Sequence, residues 1–277
     1  MATPIGNAED ITLRALRILA RVDIVACEDT RVTRKLFTIH RINDHRSAPP
    51  AFVACHDRNE AEVGRRLIAR IRDGARVAVV SDAGTPLVSD PGYRIVRAAI
   101  EAGIPVVPIP GPSAVLSALA VSGLPPDRFF FAGFLPPRPT ARRAAIETLG
   151  RVPATLVLLE SPRRLSAALA DLASVLGDRD AVVARELTKL FEEVRRGTLA
   201  DLADYYGSAD APRGEVTLVI APPAVVAEPA SDEEIDRLLQ QALAHASPRD
   251  AAQAVAAATG LPRRTLYGRA LALAGRR

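Results

Sequence analysis

The chain carries, between residues 81 and 92, the stretch Ser81-Asp82-Ala83-Gly84-Thr85-Pro86-Leu87-Val88-Ser89-Asp90-Pro91-Gly92. The apolar run that precedes it, residues 76–80, predicts a buried parallel strand. Helical spacing follows from Tyr93 to Ala102, and Gly103 marks the stop. The stretch is therefore predicted to be a long loop at the carboxyl end of a strand, the position at which open α/β sheets bind ligands.

Small and rigid residues suit this loop to holding a ligand. Gly84 and Gly92 let backbone approach a ligand closely, and Gly84 is expected to adopt a positive φ. Pro86 and Pro91 fix φ and lower the entropy cost of keeping the loop in shape. An ordinary turn with Asp90 as the helix cap explains only the last three residues. We therefore favour a ligand-binding loop.

Length and composition restrict the class of protein. At 277 residues the chain predicts about two domains. No apolar run approaches the ~18 residues of a membrane span, and no signal peptide opens the chain, so a soluble cytoplasmic protein is expected. Cys27 and Cys55 each end an apolar run and are interpreted as buried residues of a reducing compartment, not as metal ligands. A net charge of +4 favours a polyanionic partner.

Helical and strand patterns alternate through residues 1–123, which predicts a first α/β domain with a parallel sheet. Asn7 is the expected cap of the first helix, and Asp57 and Glu60 have the spacing of a capping box. The strands are predicted at residues 23–27, 52–55, 76–80 and 106–109.

The pattern changes at residue 124. Residues 124–139 hold five prolines and four phenylalanines and are interpreted as a domain connection followed by a strand. A second α/β domain with a more mixed sheet is predicted over 124–222, with strands at 155–160, 181–185 and 216–220. The segment 186–197 is consistent with either a strand or a hairpin.

A Pro/Ala-rich linker leads to a helical extension, residues 231–277. Three short helices are predicted at 232–245, 248–258 and 263–274, with Gly260 closing the second, in the form of a helix-turn-helix. Arg263, Arg264 and Arg269 lie on the third helix. A nucleic-acid reader and a helical cap for dimerisation are both compatible with this pattern.

Several separate motifs resemble, in order and spacing, the ribosomal RNA small-subunit methyltransferase I family of the tetrapyrrole methylase superfamily. The resemblance spans residues 3–220, and its motifs are Thr3-Pro4-Ile5-Gly6-Asn7, Glu28-Asp29-Thr30-Arg31, the loop from Ser81 to Gly92, Pro110-Gly111-Pro112-Ser113-Ala114, Gly133-Phe134-Leu135-Pro136, Glu160-Ser161-Pro162-Arg163-Arg164 and Ala184-Arg185-Glu186-Leu187-Thr188-Lys189. The helical tail is similar to the extension that many members carry.

The resemblance implies two α/β domains with S-adenosylmethionine in the cleft between them, and a homodimer. It also implies 2′-O-methylation of one cytidine in the decoding region of small-subunit ribosomal RNA, with the 30S subunit as partner. No metal is expected. Candidate cofactor-binding residues are Pro4, Gly6, Asp82, Ala83, Gly84, Thr85, Pro86, Pro110, Gly111, Ser113 and Ala114.

Methyl transfer to a hydroxyl needs positioning and is helped by a base. His56 follows a strand and has a suitable ordinary pKa, although the alternative interpretation is a polar residue that ends a strand. Asp29 and Arg31 are expected to form an ion pair that shapes the RNA pocket. Candidate substrate contacts, any of which is alternatively plain surface, are Arg163, Arg164, Arg185, Glu186 and Lys189.

Three other functions are compatible with the sequence. The first is a tetrapyrrole or protein methylase of the same superfamily, against which the basic tail argues. The second is a ligand-sensing regulator whose helix-turn-helix binds DNA. The third is an inactive RNA-binding scaffold.

The start of the chain departs from the family. Members enter Thr3-Pro4-Ile5-Gly6-Asn7 from an apolar strand of several residues, whereas here Met1 and Ala2 alone precede it. That strand lies inside the sheet, so its shortening is expected to leave both neighbours with unpaired backbone groups. We therefore expect the gene to encode an in-frame apolar segment upstream of Met1.

Overall fold

The computed structural model describes residues 1–44, 48–208, 213–224, 232–259 and 261–274. The chain divides into two compact units, Met1–Pro223 and Ala224–Arg277. The first unit contains a three-stranded and a five-stranded sheet, and we call the parts built on them the first and second lobes. No helix among the described residues is long and apolar enough to cross a membrane.

The first lobe alternates helices and strands as the sequence predicts. Its elements are α1 (Leu13–Leu19), β1 (Ile24–Cys27), α2 (Thr30–Ile39), β2 (Ala51–Ala54), α3 (Glu60–Arg72), β3 (Val77–Val79), α4 (Tyr93–Glu101) and α5 (Ala114–Ser122). The strand order is β2-β1-β3, and both pairings are parallel. All four residues of the central strand β1 are buried, as expected of a strand with helices on both faces. Cys27 and Cys55 are free thiols, and both are buried as predicted.

The strand predicted at 106–109 is wrong: the structure has no strand over those residues. The first residues of the chain explain the difference. The Met1 ammonium donates to the Val79 carbonyl (2.8 Å), and the Ala2 N–H donates to the Ile109 carbonyl (3.1 Å). Met1 and Ala2 thus lie between β3 and residue 109. Two residues are too short to carry a continuous ladder of hydrogen bonds along 106–109.

Lengthening this start is expected to stabilise the fold. Four apolar β-branched residues added before Met1 extend the ladder and replace the buried ammonium, whose pKa burial lowers to about 6. We expect a gain of ~2 kcal/mol, or about 5 °C in Tm, measured by thermal unfolding.

The pH dependence gives a second readout of the added residues. In the unextended chain the unfolded state binds the proton between pH 6 and the ordinary amine pKa of 8.0, whereas the folded state has released it. The contribution of this group to stability therefore rises with pH over that range, and we expect the added residues to abolish it. Four Gly/Ser residues are the control. They remove the ammonium but pair poorly, and an equal gain from them would contradict the strand explanation.

Three predicted helix caps are wrong, because spacing within a short segment does not identify the side chain that caps a helix. Thr12 caps α1 by accepting the Ala15 N–H (3.1 Å), while Asn7 caps only the preceding 3₁₀ turn, Ala8–Asp10. The capping box proposed for Asp57 and Glu60 does not form, because α3 begins at Glu60 itself. At α4 the N-cap position belongs to Gly92 rather than to Asp90.

The second lobe is built on the mixed sheet that the sequence predicts. Its elements are β4 (Phe129–Phe134), α6 (Pro139–Leu149), β5 (Thr155–Glu160), α7 (Leu165–Leu176), β6 (Asp180–Arg185), β7 (Glu193–Thr198), α8 (Leu199–Ser208) and β8 (Val216–Ile220). The strand order is β4-β5-β8-β6-β7, with β4 parallel to β5 and the other pairs antiparallel. The open question over 186–197 is answered by β7, which pairs with β6 after a turn.

Helix α5 joins the two lobes. Its buried residues Val115, Ala118 and Leu119 pack in one apolar cluster with Val157 and Val219 of the five-stranded sheet. The last helix of the first lobe therefore covers one face of the second sheet. The division at residue 123 stays a prediction, as do the other domain limits.

The second unit consists of α9 (Asp232–Leu243), α10 (Pro248–Thr259) and α11 (Arg263–Ala274), as the sequence predicts. Arg269 does not fit the role of a free nucleic-acid contact, because it pairs with Asp232 and Asp236 of α9. Arg263 and Arg264 at the start of α11 are exposed. Gly260, most of the linker and the last three residues lie outside the described residues.

Candidate active site

Two cavities flank the segment of residues 3–6. The first has a volume of about 380 Å³, and we call it the cofactor cavity because the loop predicted to bind a ligand lines it. It is bounded by the loop residues 83–85 and 88–90, by the start of α5 and by the carboxyl end of β5 and the start of β8. The acceptor cavity has a volume of about 450 Å³ and is bounded by residues 3–6, by α2 and by residues 81–83. Ile5, Ala83 and Glu215 line both cavities and so form a shared wall.

The loop from Ser81 to Gly92 is fixed at its centre by Gly84. Gly84 has a φ of +74°, which confirms the expected left-handed conformation. Its backbone pairs with Thr3 in both directions (2.9 and 3.0 Å), and its carbonyl also accepts from the Ser81 hydroxyl (3.0 Å). Leu87 and Ser89 also have positive φ values, which strain residues that carry a Cβ. The loop is thus held in one conformation at the cavity wall.

Glu60 fixes the end of this loop. Its buried carboxylate accepts the Gly92 N–H (2.9 Å) and the Arg94 N–H (2.7 Å) at the start of α4. The side chain that the sequence suggested as a cap for its own helix therefore caps the neighbouring one. Such a cap satisfies backbone donors that the first turn of α4 leaves unpaired.

Carboxyl groups gather where the two cavities meet. Asp90 lines the cofactor cavity, and burial followed by repulsion from Glu28 and Asp82 raises its pKa to about 6. Asp82 lines the acceptor cavity, and burial raises its pKa too, although its Oδ1 accepts the Asp29 N–H (2.9 Å). The pKa of Glu28 is raised for the same reason. A cationic ligand bound here would relieve this repulsion.

The three catalytic candidates lie outside the two cavity linings. Asp29 and Arg31 form the expected ion pair (2.6 Å), and the hydrogen bonds from Arg31 lower the pKa of Asp29 to about 2. The Arg31 side chain is 89% exposed. His56 is exposed, and its backbone N–H donates to Asn59 (2.8 Å). Their roles in catalysis stay predictions.

The cofactor candidates divide between the cavities. Ala83, Gly84, Thr85, Ser113 and Ala114 line the cofactor cavity, whereas Pro4, Gly6, Asp82 and again Ala83 line the acceptor cavity. Pro86, Pro110 and Gly111 are not among the described lining residues of either. Ser113 also caps α5 through the Leu116 N–H (3.4 Å). The structure therefore brings the loop at 83–85 and the start of α5 together around one space.

Most substrate candidates are engaged in ion pairs. Arg164 pairs with Glu160 and Arg185 with Glu193, while Lys189 pairs with both Glu186 and Glu215. Among these candidates Lys189 alone lines a described cavity, the acceptor cavity. Arg163 is exposed.

Sequence reasoning missed several lining residues. Glu160 at the carboxyl end of β5 and Thr217 in β8 line the cofactor cavity, and Val32 and Lys35 of α2 line the acceptor cavity. The carboxyl end of β5 was a signal available in the sequence, because ligands gather at such ends. The α2 residues carried no signal of this kind.

The residues of the cofactor cavity suit S-adenosylmethionine. The cavity combines an acidic side chain for a cation, Asp90, with a buried carboxylate oxygen that has no partner among the described residues, on Glu160. Gly84 adds a backbone surface without a side chain. Among the described residues, no group of three His, Cys, Asp or Glu side chains is placed to hold a metal.

Residues 2–203 match the family of Tetrapyrrole (Corrin/Porphyrin) Methylases, and residues 229–274 match the RsmI C-terminal HTH domain. The fold and these matches thus define a methyltransferase of the tetrapyrrole methylase family.

Within it, the chain belongs to the ribosomal RNA small subunit methyltransferase I family. It is 52% identical over 276 residues to the member from Mesorhizobium japonicum, covering 99% of this chain and 90% of that one. It is 44% identical to the member from Pseudomonas aeruginosa, covering 100% and 97%.

Solved structures share the fold of the first unit. A uroporphyrin-III-C-methyltransferase from Thermus thermophilus superposes with a TM-score of 0.54 at 26% identity, covering 79% of this chain and 91% of that one. A uroporphyrin-III C-methyl transferase from Thermus thermophilus complexed with S-adenyl homocysteine gives a TM-score of 0.52 at 23% identity, covering 78% of this chain and 93% of that one. Diphthine synthase gives 0.56 at 21%, covering 79% and 87%.

Proposed function

We propose that this enzyme transfers the methyl group of S-adenosylmethionine to the ribose 2′-hydroxyl of a cytidine in the decoding region of small-subunit ribosomal RNA. The observation that carries the proposal is the pair of cavities that share a wall at Ile5, Ala83 and Glu215. The donor occupies one and the acceptor ribose enters the other. The substrate class follows from relatives named as ribosomal RNA small subunit methyltransferases at 44–52% identity.

The donor supplies a methyl group already activated by positive sulfur. The protein therefore has mainly to hold the acceptor oxygen in line with that methyl group. The strained loop around Gly84 and the start of α5 hold the donor side. Asp90 places negative charge beside the positively charged donor, which compensates for the donor's removal from water.

The acceptor cavity has groups that suit a nucleotide. Lys35 and Lys189 line it and provide positive charge for a phosphate. Asp82 lines this cavity next to Ala83 of the shared wall, and burial raises its pKa, so it is suited to take the hydroxyl proton. Pro4 and Gly6 contribute to this cavity rather than to the donor site.

The partners and setting follow from the same proposal. We propose that the 30S subunit in the cytoplasm is the physiological substrate, that the enzyme is a homodimer, and that the extension from residue 231 assists RNA capture. Arg263 and Arg264, exposed at the start of α11, are the phosphate contacts proposed there.

Labelled S-adenosylmethionine and purified small subunits test the proposed function. After incubation, digestion of the RNA is expected to place the label on one ribose oxygen of one cytidine. A tetrapyrrole or diphthamide precursor offered in parallel is expected to remain unlabelled. Label on that precursor and none on RNA would contradict the proposal and favour the alternative methylase.

RNA binding is expected to weaken with salt while cofactor binding stays nearly constant. Each phosphate neutralised on a single strand contributes roughly −0.7 to the log–log slope, so three contacts weaken binding about tenfold or more between ~50 and 200 mM salt. S-adenosylhomocysteine should change less than about twofold, because it releases no condensed counterions. Titrating both ligands at several salt concentrations measures this. A flat RNA slope would contradict the assignment of basic residues to phosphate.

A further inference from the structure

Glu160 places a buried carboxylate oxygen with no partner in the wall of the cofactor cavity. It is the last residue of β5, and its side chain is 1% exposed. Oε1 accepts the Ser161 N–H (2.6 Å) and pairs with the Arg164 guanidinium (2.6 Å). Oε2 is buried and has no hydrogen-bond partner among the described residues. Oε1 thus has two partners within the protein, whereas Oε2 can accept a hydrogen bond from a bound molecule.

The ion pair makes this arrangement costly unless a ligand completes it. Arg164 engages Oε1 alone and leaves Oε2 without a donor among the described residues. A buried acceptor without a donor destabilises the protein, and more so on a charged group, so such a group calls for an explanation. Since Glu160 is among the residues that line the cavity, a bound molecule is the available source of a hydrogen-bond donor.

We propose that Oε2 of Glu160 accepts a hydrogen bond from a ribose hydroxyl of the donor's adenosine and thereby selects a ribonucleoside. The inference rests on the proposed function in placing S-adenosylmethionine in this cavity. Arg164 already balances the charge of Glu160. A neutral hydroxyl therefore suits Oε2 better than the ammonium group of S-adenosylmethionine does. Asp90 lines the same cavity without an ion pair among the described residues, and it is the better partner for that ammonium.

Position also favours the ribose. A carboxylate near the carboxyl end of a strand is the group that reads ribose hydroxyls in dinucleotide-binding sheets, because one carboxylate oxygen can accept from a hydroxyl directly. Glu160 has this placement on the second lobe, opposite the loop that contains Gly84.

Calorimetry with S-adenosylhomocysteine and its 2′-deoxy and 3′-deoxy analogues tests the proposal. In the wild type, one deoxy analogue is expected to bind about 10- to 100-fold more weakly, the range of a hydrogen bond to a charged group. In Glu160→Gln the amide oxygen is expected to stay on Ser161 and Arg164, which puts the NH₂ in the place of Oε2. Affinity for S-adenosylhomocysteine should then fall about tenfold or more, with less than about twofold further loss for the deoxy analogue.

The matched control is Glu193→Gln. Glu193 is also paired with arginines on the same sheet, but it does not line the cofactor cavity. The Glu193→Gln variant should bind S-adenosylhomocysteine with the affinity of the wild type.

Each outcome decides the proposal. If the deoxy analogue lost as much affinity in Glu160→Gln as in the wild type, the role of Glu160 would be overturned. The same conclusion would follow if neither deoxy analogue bound the wild type more weakly than S-adenosylhomocysteine. That second result does not depend on the folding of the variant. Failure of the wild type to bind S-adenosylhomocysteine would overturn the cofactor cavity itself, and this inference with it.

Discussion

Gly84→Val is expected to abolish detectable cofactor binding, lowering the affinity for S-adenosylhomocysteine at least ~100-fold, while the protein stays folded. Gly84 has a φ of +74°, a conformation that costs a residue with a Cβ about 1–2 kcal/mol. A Cβ there would lie 3.3 Å from the Ile5 side chain, and the added methyl groups must go into the cavity or displace the loop. Calorimetry gives the affinity, and thermal unfolding gives the stability.

Gly74→Val separates blocked binding from backbone strain. Gly74 has a φ of +93° at the end of α3, and a Cβ added there meets nothing within 4 Å. Gly74→Val should lower Tm by a few degrees, as Gly84→Val does, because both introduce a Cβ at a positive φ. Its affinity for S-adenosylhomocysteine should stay within about twofold of that of the wild type. If folded Gly84→Val bound the ligand normally, the assignment of the loop to the cofactor would be wrong.

The local features of this fold could be predicted because neighbouring residues determine them. An apolar run before a loop of glycine and proline indicates a strand end, so the long loop after β3 and the left-handed Gly84 followed from the sequence. The alternation of elements likewise predicted a parallel sheet in the first lobe and a mixed one in the second.

Contacts between distant residues could not be predicted in this way. Glu60 has the spacing of a cap for its own helix, yet its carboxylate binds the start of α4, more than thirty residues away. Arg269 is basic and lies on the expected recognition helix, but the two aspartates that engage it come from α9. The orphaned oxygen of Glu160 likewise depends on how β5 meets the loops of the first lobe. Spacing rules carry no information about such partners.

Asp82→Asn is expected to lower kcat about 100-fold or more, with the affinity for S-adenosylhomocysteine within about threefold of the wild type. Asp82 lines the acceptor cavity, and its neighbour Ala83 lines both cavities, so its carboxylate lies close to the shared wall. Burial, and then repulsion from Asp29, raises its pKa, which favours proton uptake from a ribose hydroxyl. The asparagine keeps the oxygen that accepts the Asp29 N–H and removes only the basic site.

The pH profile distinguishes a base from a structural group at this position. In the wild type, kcat should fall as the pH drops through the raised pKa of Asp82, because the protonated carboxyl cannot accept a proton. That acid limb should disappear in Asp82→Asn. Asp57→Asn is the control, since Asp57 is exposed and lies outside both described cavity linings.

The variant His56→Gln tests whether His56, the other candidate base, takes the proton instead of Asp82. If His56→Gln removed the acid limb and most of kcat while Asp82→Asn kept both, the histidine would be the base despite its place outside the cavities. If Asp82→Asn instead lost cofactor affinity at unchanged kcat, Asp82 would belong to the donor site. The proposed role requires the opposite division, because a base acts on the acceptor hydroxyl in the transition state and contributes nothing to holding the donor in the ground state.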